Sequence, residues 1–214
     1  MPTLLQEHNR ERFDRIAAGW DDSPTRRALA AAVADAITDA VPVAPHWHAL
    51  EYGCGTGLVG ARLAPRLGHL LATDLSPGML SVLTEKARSA GLANLETRVL
   101  DLTREPPPAQ RFDLIFSSMT MHHIPDVPAL LRVFHGMLQP DGWLALADLD
   151  AEDGGFHDPG VPGVAHHGFD RGELARWLAD AGFRDTAART AHTVEKTRDG
   201  RSARYPVFLI SARR

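Results

Sequence analysis

Cysteine is nearly missing from this chain: Cys54 is the only one among 214 residues, which excludes an intramolecular disulfide framework and any thiolate-rich zinc site. Lysine is scarce too, the basic residues being almost all arginine, and the formal net charge is −4, so a broad basic surface that grips nucleic acid is not expected. Long apolar runs are also lacking. The most apolar stretches, such as Trp143 to Ala147, end within a few residues, far short of the roughly 18 to 20 a membrane helix needs. The opening MPTLLQEHNRERF mixes charges of both signs without the basic, then apolar, then small-residue order of a secretory leader; a cytoplasmic location is the expectation. What remains, 44% hydrophobic and 23% charged residues, is an ordinary globular composition, and the length predicts one domain over 1–214 rather than two.

From His48 onward short apolar runs alternate with longer amphipathic stretches, punctuated by Gly, Pro or Asp. This is the pattern of an α/β chain, a parallel sheet wrapped by helices. It predicts strands at His48 to Tyr52, His69 to Thr73, Leu95 to Leu100, Phe112 to Ser117 and Gly142 to Leu149. Helices are predicted at Leu58 to Leu67, Pro77 to Ala90 and Val127 to Leu138, the second opened by Ser76 as N-cap with Pro77 at the first helical position. Residues 1–45 read as a helical cap: Thr25 to Ala40 is an Ala-rich helix broken by Pro42 and Pro45, and Phe13 and Trp20 stand where one helical face could carry both. Residues 46–150 form the ligand-binding half. Residues 151–214 supply most of a long Gly-, Pro- and His-rich loop (Asp150 to Phe169), a helix at Arg171 to Ala181, and strands at Arg184 to Val194 and Ala203 to Ala212 about an Asp199-Gly200 turn.

The most informative stretch is A-L-E-Y-G-C-G-T-G-L-V-G, Ala49 to Gly60. Gly53, Gly55 and Gly57 let the backbone turn tightly and approach a ligand where a side chain would block it. Gly55, Gly57 and Gly60 also satisfy the dinucleotide pattern G-x-G-x-x-G, so the turn alone leaves the ligand open. Asp74, ending the second strand, is placed to accept hydrogen bonds from both hydroxyls of a ribose. Glu51, two residues before Gly53, would repel a pyrophosphate but suits a ligand bearing positive charge. Asp101 ends the third strand and is placed as an acceptor for an exocyclic adenine amine if that strand lies beside the second, and the glycine turn follows a helical N-terminal segment rather than lying near residue one.

In these residues the chain resembles the class I S-adenosylmethionine-dependent methyltransferases, especially the small-molecule branch termed methyltransferase type 11 or 12. E-Y-G-C-G-T-G (Glu51 to Gly57), T-D-L-S (Thr73 to Ser76), L-D-L (Leu100 to Leu102), F-D-L-I-F-S-S-M-T-M-H-H-I-P-D (Phe112 to Asp126) and L-Q-P-D-G-W-L (Leu138 to Leu144) look like that family's successive motifs in the right order. The resemblance implies a Rossmann-like, doubly wound, seven-stranded sheet with its last strand antiparallel and an N-terminal helical cap. It implies S-adenosyl-L-methionine as cofactor and a small-molecule methyl acceptor as partner, with no nucleic acid or membrane, in a monomer or homodimer. Glu51, Gly53, Cys54 and Gly55 would line the aminocarboxypropyl end, Asp74 the ribose, Leu75 and Met79 the adenine faces, Asp101 and the Leu102 amide its edge, and Ser117 the underside of the methionyl part. Phe13 and Trp20 would close the substrate side. Leu75 and Met79 have a second, less favoured reading as core residues of the second helix, and Phe13 and Trp20 fit equally well as packing residues.

Methyl transfer is an in-line displacement in which the protein mainly aligns the reactants, so a base is optional. Candidate bases beyond the carboxyl ends of the strands are His122, His123, Asp148, Asp150, His157, His166 and His167. His122 and His123 follow the fourth strand, and neighbouring residues point apart, so one is expected to face the pocket. Asp148 is the first choice for a polar contact, and His166 or His167 for the far wall. The loop histidines are read as polar loop residues, and no metal is expected. S-S-M-T after the fourth strand, in place of the Asn/Asp-Pro-Pro-Tyr of exocyclic-amine methylases, disfavours adenine or glutamine acceptors, and Cys54 within the glycine turn excludes cytosine-C5 chemistry. Two other readings stay open: a non-catalytic S-adenosylmethionine-binding regulator, and a nicotinamide-dependent oxidoreductase.

Overall fold

The computed structural model describes residues 4–158, 160–198 and 200–214. Its centre is a seven-stranded sheet of order β3-β2-β1-β4-β5-β7-β6, with β1 His48–Tyr52, β2 His69–Asp74, β3 Leu95–Val99, β4 Phe112–Ser118, β5 Leu138–Leu149, β6 Arg184–Arg198 and β7 Arg201–Arg213. The first five strands are mutually parallel; β7 runs antiparallel to both β5 and β6. The helices are α1 Leu4–Ile16, α2 Pro24–Ala40, α3 Gly60–Leu63, α4 Pro77–Ser89, α5 Val127–Met137 and α6 Arg171–Asp180. The order reverses between β1 and β4, and that switch point opens a crevice at the carboxyl ends of the strands.

Strand alternation decides how the two faces are covered. Leu50, Leu71, Ile115, Leu144 and Leu146 face α5 and α6, meeting Leu131, Phe134 and Leu178. Ala49, Leu70, Leu114, Phe116 and Ala145 face α2 and α3, meeting Val33, Ile37 and Leu63. Helix starts follow capping chemistry. Ser76 Oγ accepts from Met79 N at 3.0 Å, Asp126 Oδ1 from Ala129 N at 2.9 Å and Asp170 Oδ1 from Glu173 N at 2.8 Å.

Several predicted boundaries move. The helix expected over Leu58 to Leu67 shortens to α3 and a 3₁₀ turn at Ala64–Arg66, because Pro65 has no N–H to continue the ladder. β5 starts at Leu138 rather than Gly142, and β3 stops at Val99 rather than Leu100. The final hairpin is longer than expected, pairing out to Arg198 and Arg201; Asp199, placed at its turn, lies outside the described residues. Trp20 is not on a helix with Phe13: α1 ends at Ile16, and Trp20 sits in a 3₁₀ turn at Ala17–Asp22. That turn still brings the two rings edge to face, with centroids 5.7 Å apart.

Candidate active site

The crevice at the switch point is the mouth of a cavity of about 530 Å³. One half is built by the turn after β1. Gly53, Gly55 and Gly57 have φ of +69°, +53° and +71°, values that L-residues adopt only at a cost. The turn is pinned from β2, where Asp74 Oδ2 accepts from Gly55 N at 2.8 Å and Oδ1 from Ser76 N at 2.9 Å. Burial lifts the Asp74 carboxyl above its ordinary value, against the Ser76, Gly55 and Leu75 amides that hold it down. Asp74 lines the cavity, and its carboxylate keeps acceptor capacity beyond these amides.

Glu51 is 2% exposed, and its Oε2 has no hydrogen-bond partner. Burial pushes its pKa up to about 8, with Asp74 adding to the rise and the Gly60 amide and Lys86 opposing it. A Cβ on Gly60 would collide with Glu51 Oε2. Gly60, the third glycine of the apparent dinucleotide pattern, thus leaves room for a carboxylate, the opposite of what a pyrophosphate needs. The glycines also differ in purpose. A Cβ on Gly57 would strike Leu83, whereas one on Gly55 would meet nothing within 4 Å and stand in the cavity. Gly57→Ala should cost about 1–3 kcal/mol of stability through overpacking and left-handed strain. Gly55→Ala should lower Tm less but weaken adenosyl ligands more, an ordering that paired thermal melts and titrations would check.

The other half of the cavity follows β4, which runs one residue further than expected, to Ser118. Ser118, Met119 and Thr120 therefore form the wall, and Ser117 does not: it is fully buried, and its Oγ donates to Tyr52 O at 2.7 Å. Thr120 packs over Gly53, its Oγ1 3.1 Å from the Gly53 carbonyl. His122 Nδ1 donates to Asp148 Oδ1 at 2.7 Å, and the His122 backbone N–H donates to Asp148 Oδ2 at 3.2 Å. The His122 ring lines the cavity, and its buried Nε2 has no partner. Asp148 is 1% exposed and lies behind that ring, off the wall, so the direct polar contact expected of it falls instead to His122. Burial raises the Asp148 carboxyl, but the His122 charge and the hydrogen bonds from His122 and Leu149 outweigh it, leaving the carboxyl below its ordinary range.

His123 also reaches the wall, its Nδ1–H donating to Gly163 O at 2.6 Å. Burial, then His122, hold its pKa down to about 3, which leaves it a neutral wall residue. His157 stacks nearby, its ring centroid 5.1 Å from that of His122, with Nε2 buried and unpartnered. His166 and His167 are not on the far wall. His166 turns its Nε2 to Ile124 O at 2.9 Å and packs on Phe169, and His167 is exposed beside Glu152. Asp150, another candidate base, is bound in both oxygens by Arg171 at 2.6 and 2.7 Å. Leu102 is packed in the core, away from the wall, while Asp101 lines it and caps the following turn through Thr103. Cys54, Leu75, Met79, Phe13 and Trp20 all line the cavity. Sequence reasoning missed Arg12, Arg26, Phe156 and Lys196 on the same wall; no motif marks them. Among the described residues no cluster of His, Cys, Asp and Glu is arranged to hold a metal ion, and no helix is long and apolar enough to cross a membrane.

A family model described as a methyltransferase domain matches residues 49–142. Phosphoethanolamine N-methyltransferase 1 of Arabidopsis thaliana is 32% identical over 155 residues, covering 67% of this chain and 30% of that protein. Nocamycin O-methyltransferase of Saccharothrix syringae is 31% identical over 137 residues, covering 63% of this chain and 48% of that protein. The chain thus spans less than half the length of these curated relatives. Among solved structures, the DhpI complex with S-adenosylhomocysteine aligns with a TM-score of 0.74 at 22% identity, covering 98% of this chain and 96% of that one, a likeness of fold. Residues 49–142 therefore match a methyltransferase domain, and the sheet that carries them has the fold of the S-adenosylhomocysteine-bound DhpI. The residues fit S-adenosylmethionine as cofactor: the orphaned, buried Glu51 oxygen suits a cationic ligand end, Asp74 presents acceptors to a ribose, and the space over Gly55 is one that a Cβ would fill.

Proposed function

We propose that the protein methylates a small diffusible acceptor, with His122 accepting the acceptor's proton and Asp148 positioning His122. The observation that carries this reading is one cavity with two chemically distinct ends: the Glu51, Gly55 and Asp74 end, and the unpartnered His122 Nε2. When bound, S-adenosylmethionine supplies an activated methyl group on a sulfonium. The chain's own residues do the rest. The turn from Gly53 to Gly57 and Asp74 fix one reactant, Thr120 and His122 stand beside the other, and Phe13 and Trp20 shield the space between from water. The ionised Asp148 accepts the Nδ1 proton of His122, which leaves Nε2 as the ring nitrogen turned to the acceptor. An acceptor other than nucleic acid accords with the −4 charge, and a cytoplasmic location is part of the same reading.

Isothermal titration with S-adenosylmethionine, S-adenosylhomocysteine and NAD in parallel tests the cofactor end. Binding of both adenosyl ligands in the micromolar range, without NAD, is expected. Binding of NAD alone would return the protein to the oxidoreductase class. Adenosyl binding without any labelled product from a broad metabolite extract would support the regulatory reading.

A further inference from the structure

The wall of the same cavity carries Arg12, Arg26 and Lys196. Each cation lies over an aromatic ring of that wall: Arg12 5.3 Å from the Phe13 centroid, Arg26 3.8 Å from Trp20 and Lys196 4.0 Å from Phe156. None of them forms an ion pair among the described residues; Arg26 donates to the Trp20 carbonyl at 3.2 Å, and Lys196 to the Phe156 carbonyl. The acids on this half of the wall are engaged elsewhere. Asp158 pairs with Arg198 at 2.5 Å and Glu195 with Arg204 at 3.5 Å, both cations lying off the wall. The remaining acids, Glu51, Asp74 and Asp101, belong to the cofactor end. Desolvation and the Arg12 charge pull Arg26 below its ordinary value, and burial with Arg198 and Arg26 does the same to Lys196 against the pull of Asp158 and Glu152. Positive charge is thus gathered on an aromatic shelf with no direct ion pair, Asp21 acting on Arg26 and Asp158 and Glu152 on Lys196 only from a distance, an arrangement that an anion relieves.

We propose that the methyl acceptor is an organic anion, an apolar body lying on Phe13, Trp20 and Phe156 with a phosphoryl, phosphonyl or carboxylate group held by Arg12, Arg26 and Lys196. This rests on the methyl-transfer reading and adds the substrate's chemical class. Phe156 meets the His157 ring at 5.0 Å and the Lys196 and Arg12 charges act on His157, so the anchored end lies beside His157 and the acceptor atom is the part directed to His122. Arginine over a ring presents its N–H fork sideways, which suits a bidentate oxyanion.

The test is titration of the S-adenosylhomocysteine-loaded protein with phenyl phosphate, phenylphosphonate and benzoate, against neutral benzyl alcohol and cationic benzylamine. At least one anion should bind about tenfold or more tighter than benzyl alcohol, with benzylamine weakest, and the order among the three anions identifies the group. The preference should shrink as salt rises. Arg12→Gln with Lys196→Gln should erase most of it while S-adenosylhomocysteine affinity, the check on folding, stays within about twofold; Arg26→Gln alone should give a partial loss. Equal binding of anion and alcohol, or a preference surviving the double substitution, would overturn the proposal. Failure of S-adenosylhomocysteine to bind would instead sink the cofactor reading, and the same series on the protein alone would still decide this one.

Discussion

Asp148→Asn should lower turnover by about 10²- to 10³-fold while leaving S-adenosylhomocysteine affinity within about twofold. Asp148 touches neither ligand half of the cavity; it acts only through His122, 2.7 Å from Nδ1. A carboxylate at that position accepts, which fixes the ring proton on Nδ1 and leaves Nε2 as an acceptor. An amide facing Nδ1 with its NH₂ reverses the tautomer, so Nε2 becomes a donor and cannot take a proton from the acceptor. His122→Ala should lose turnover to a similar extent and recover part of it with added imidazole, a rescue that a purely structural histidine would not show. The same pair predicts a pH effect on stability. The folded Asp148 carboxyl is depressed, so its contribution is fully present above the unfolded value near 4 and is lost as pH falls through the lower folded value. The Asn variant should lack that part of the acid transition in thermal melts. An equal loss of cofactor affinity and turnover would relocate the pair to the cofactor pocket, and unchanged turnover would reduce it to a packing element.

The sheet was legible because parallel strands are buried on both faces and read as short apolar runs between Gly, Pro and Asp stops, as in Leu70 to Ala72 and Leu114 to Phe116. The turn from Gly53 to Gly57 was legible because glycine takes those left-handed positions without the cost an L-residue bears, and Asp74 because it ends the strand facing that turn. The limits were those of registry and of contacts distant in sequence. Strand β4 ends one residue beyond its expected stop, which moves the wall from Ser117 to Ser118. The loop carrying His166 is fastened by its backbone, with Ala165 N and His166 N both donating to His122 O, and this turns the His166 ring away from the cavity. Nothing local marks Asp14 or Asp21, yet Asp14 accepts from Ser76 Oγ at 2.6 Å and Gly78 N at 2.8 Å, and Asp21 takes Thr56 Oγ1 at 2.5 Å and Lys86 Nζ at 2.6 Å. These contacts, more than the aromatics that suggested a cap, hold the N-terminal segment over the site. Lys196 was invisible for a related reason: alternation identifies a strand, but not that its hairpin leans over Phe156.

Binding of S-adenosylhomocysteine near pH 7 should release close to one proton to the buffer, and Glu51 is its source. The free protein holds this carboxyl at a pKa of about 8, so most of it is protonated at pH 7. The cause is burial without a partner for Oε2, and a cationic ligand end beside it favours the ionised form. Titrations in buffers of different ionisation enthalpy measure the release directly. Because the complex binds fewer protons than the free protein, affinity should rise with pH between about 6 and 8, by up to roughly tenfold per unit, and flatten above that window. Glu51→Gln should abolish both the release and the slope and weaken binding most at pH 8. In the ligand-free protein the sign reverses. A raised folded pKa gives stability that is complete below the unfolded value and is lost as pH rises through about 8, so the Gln variant should melt at a higher temperature than the parent above that pH. A residue kept only for packing would not make the free protein less stable and the complex tighter at the same alkaline pH; an absent proton release, with a flat pH profile in the parent, would show that the cationic end of the ligand lies elsewhere.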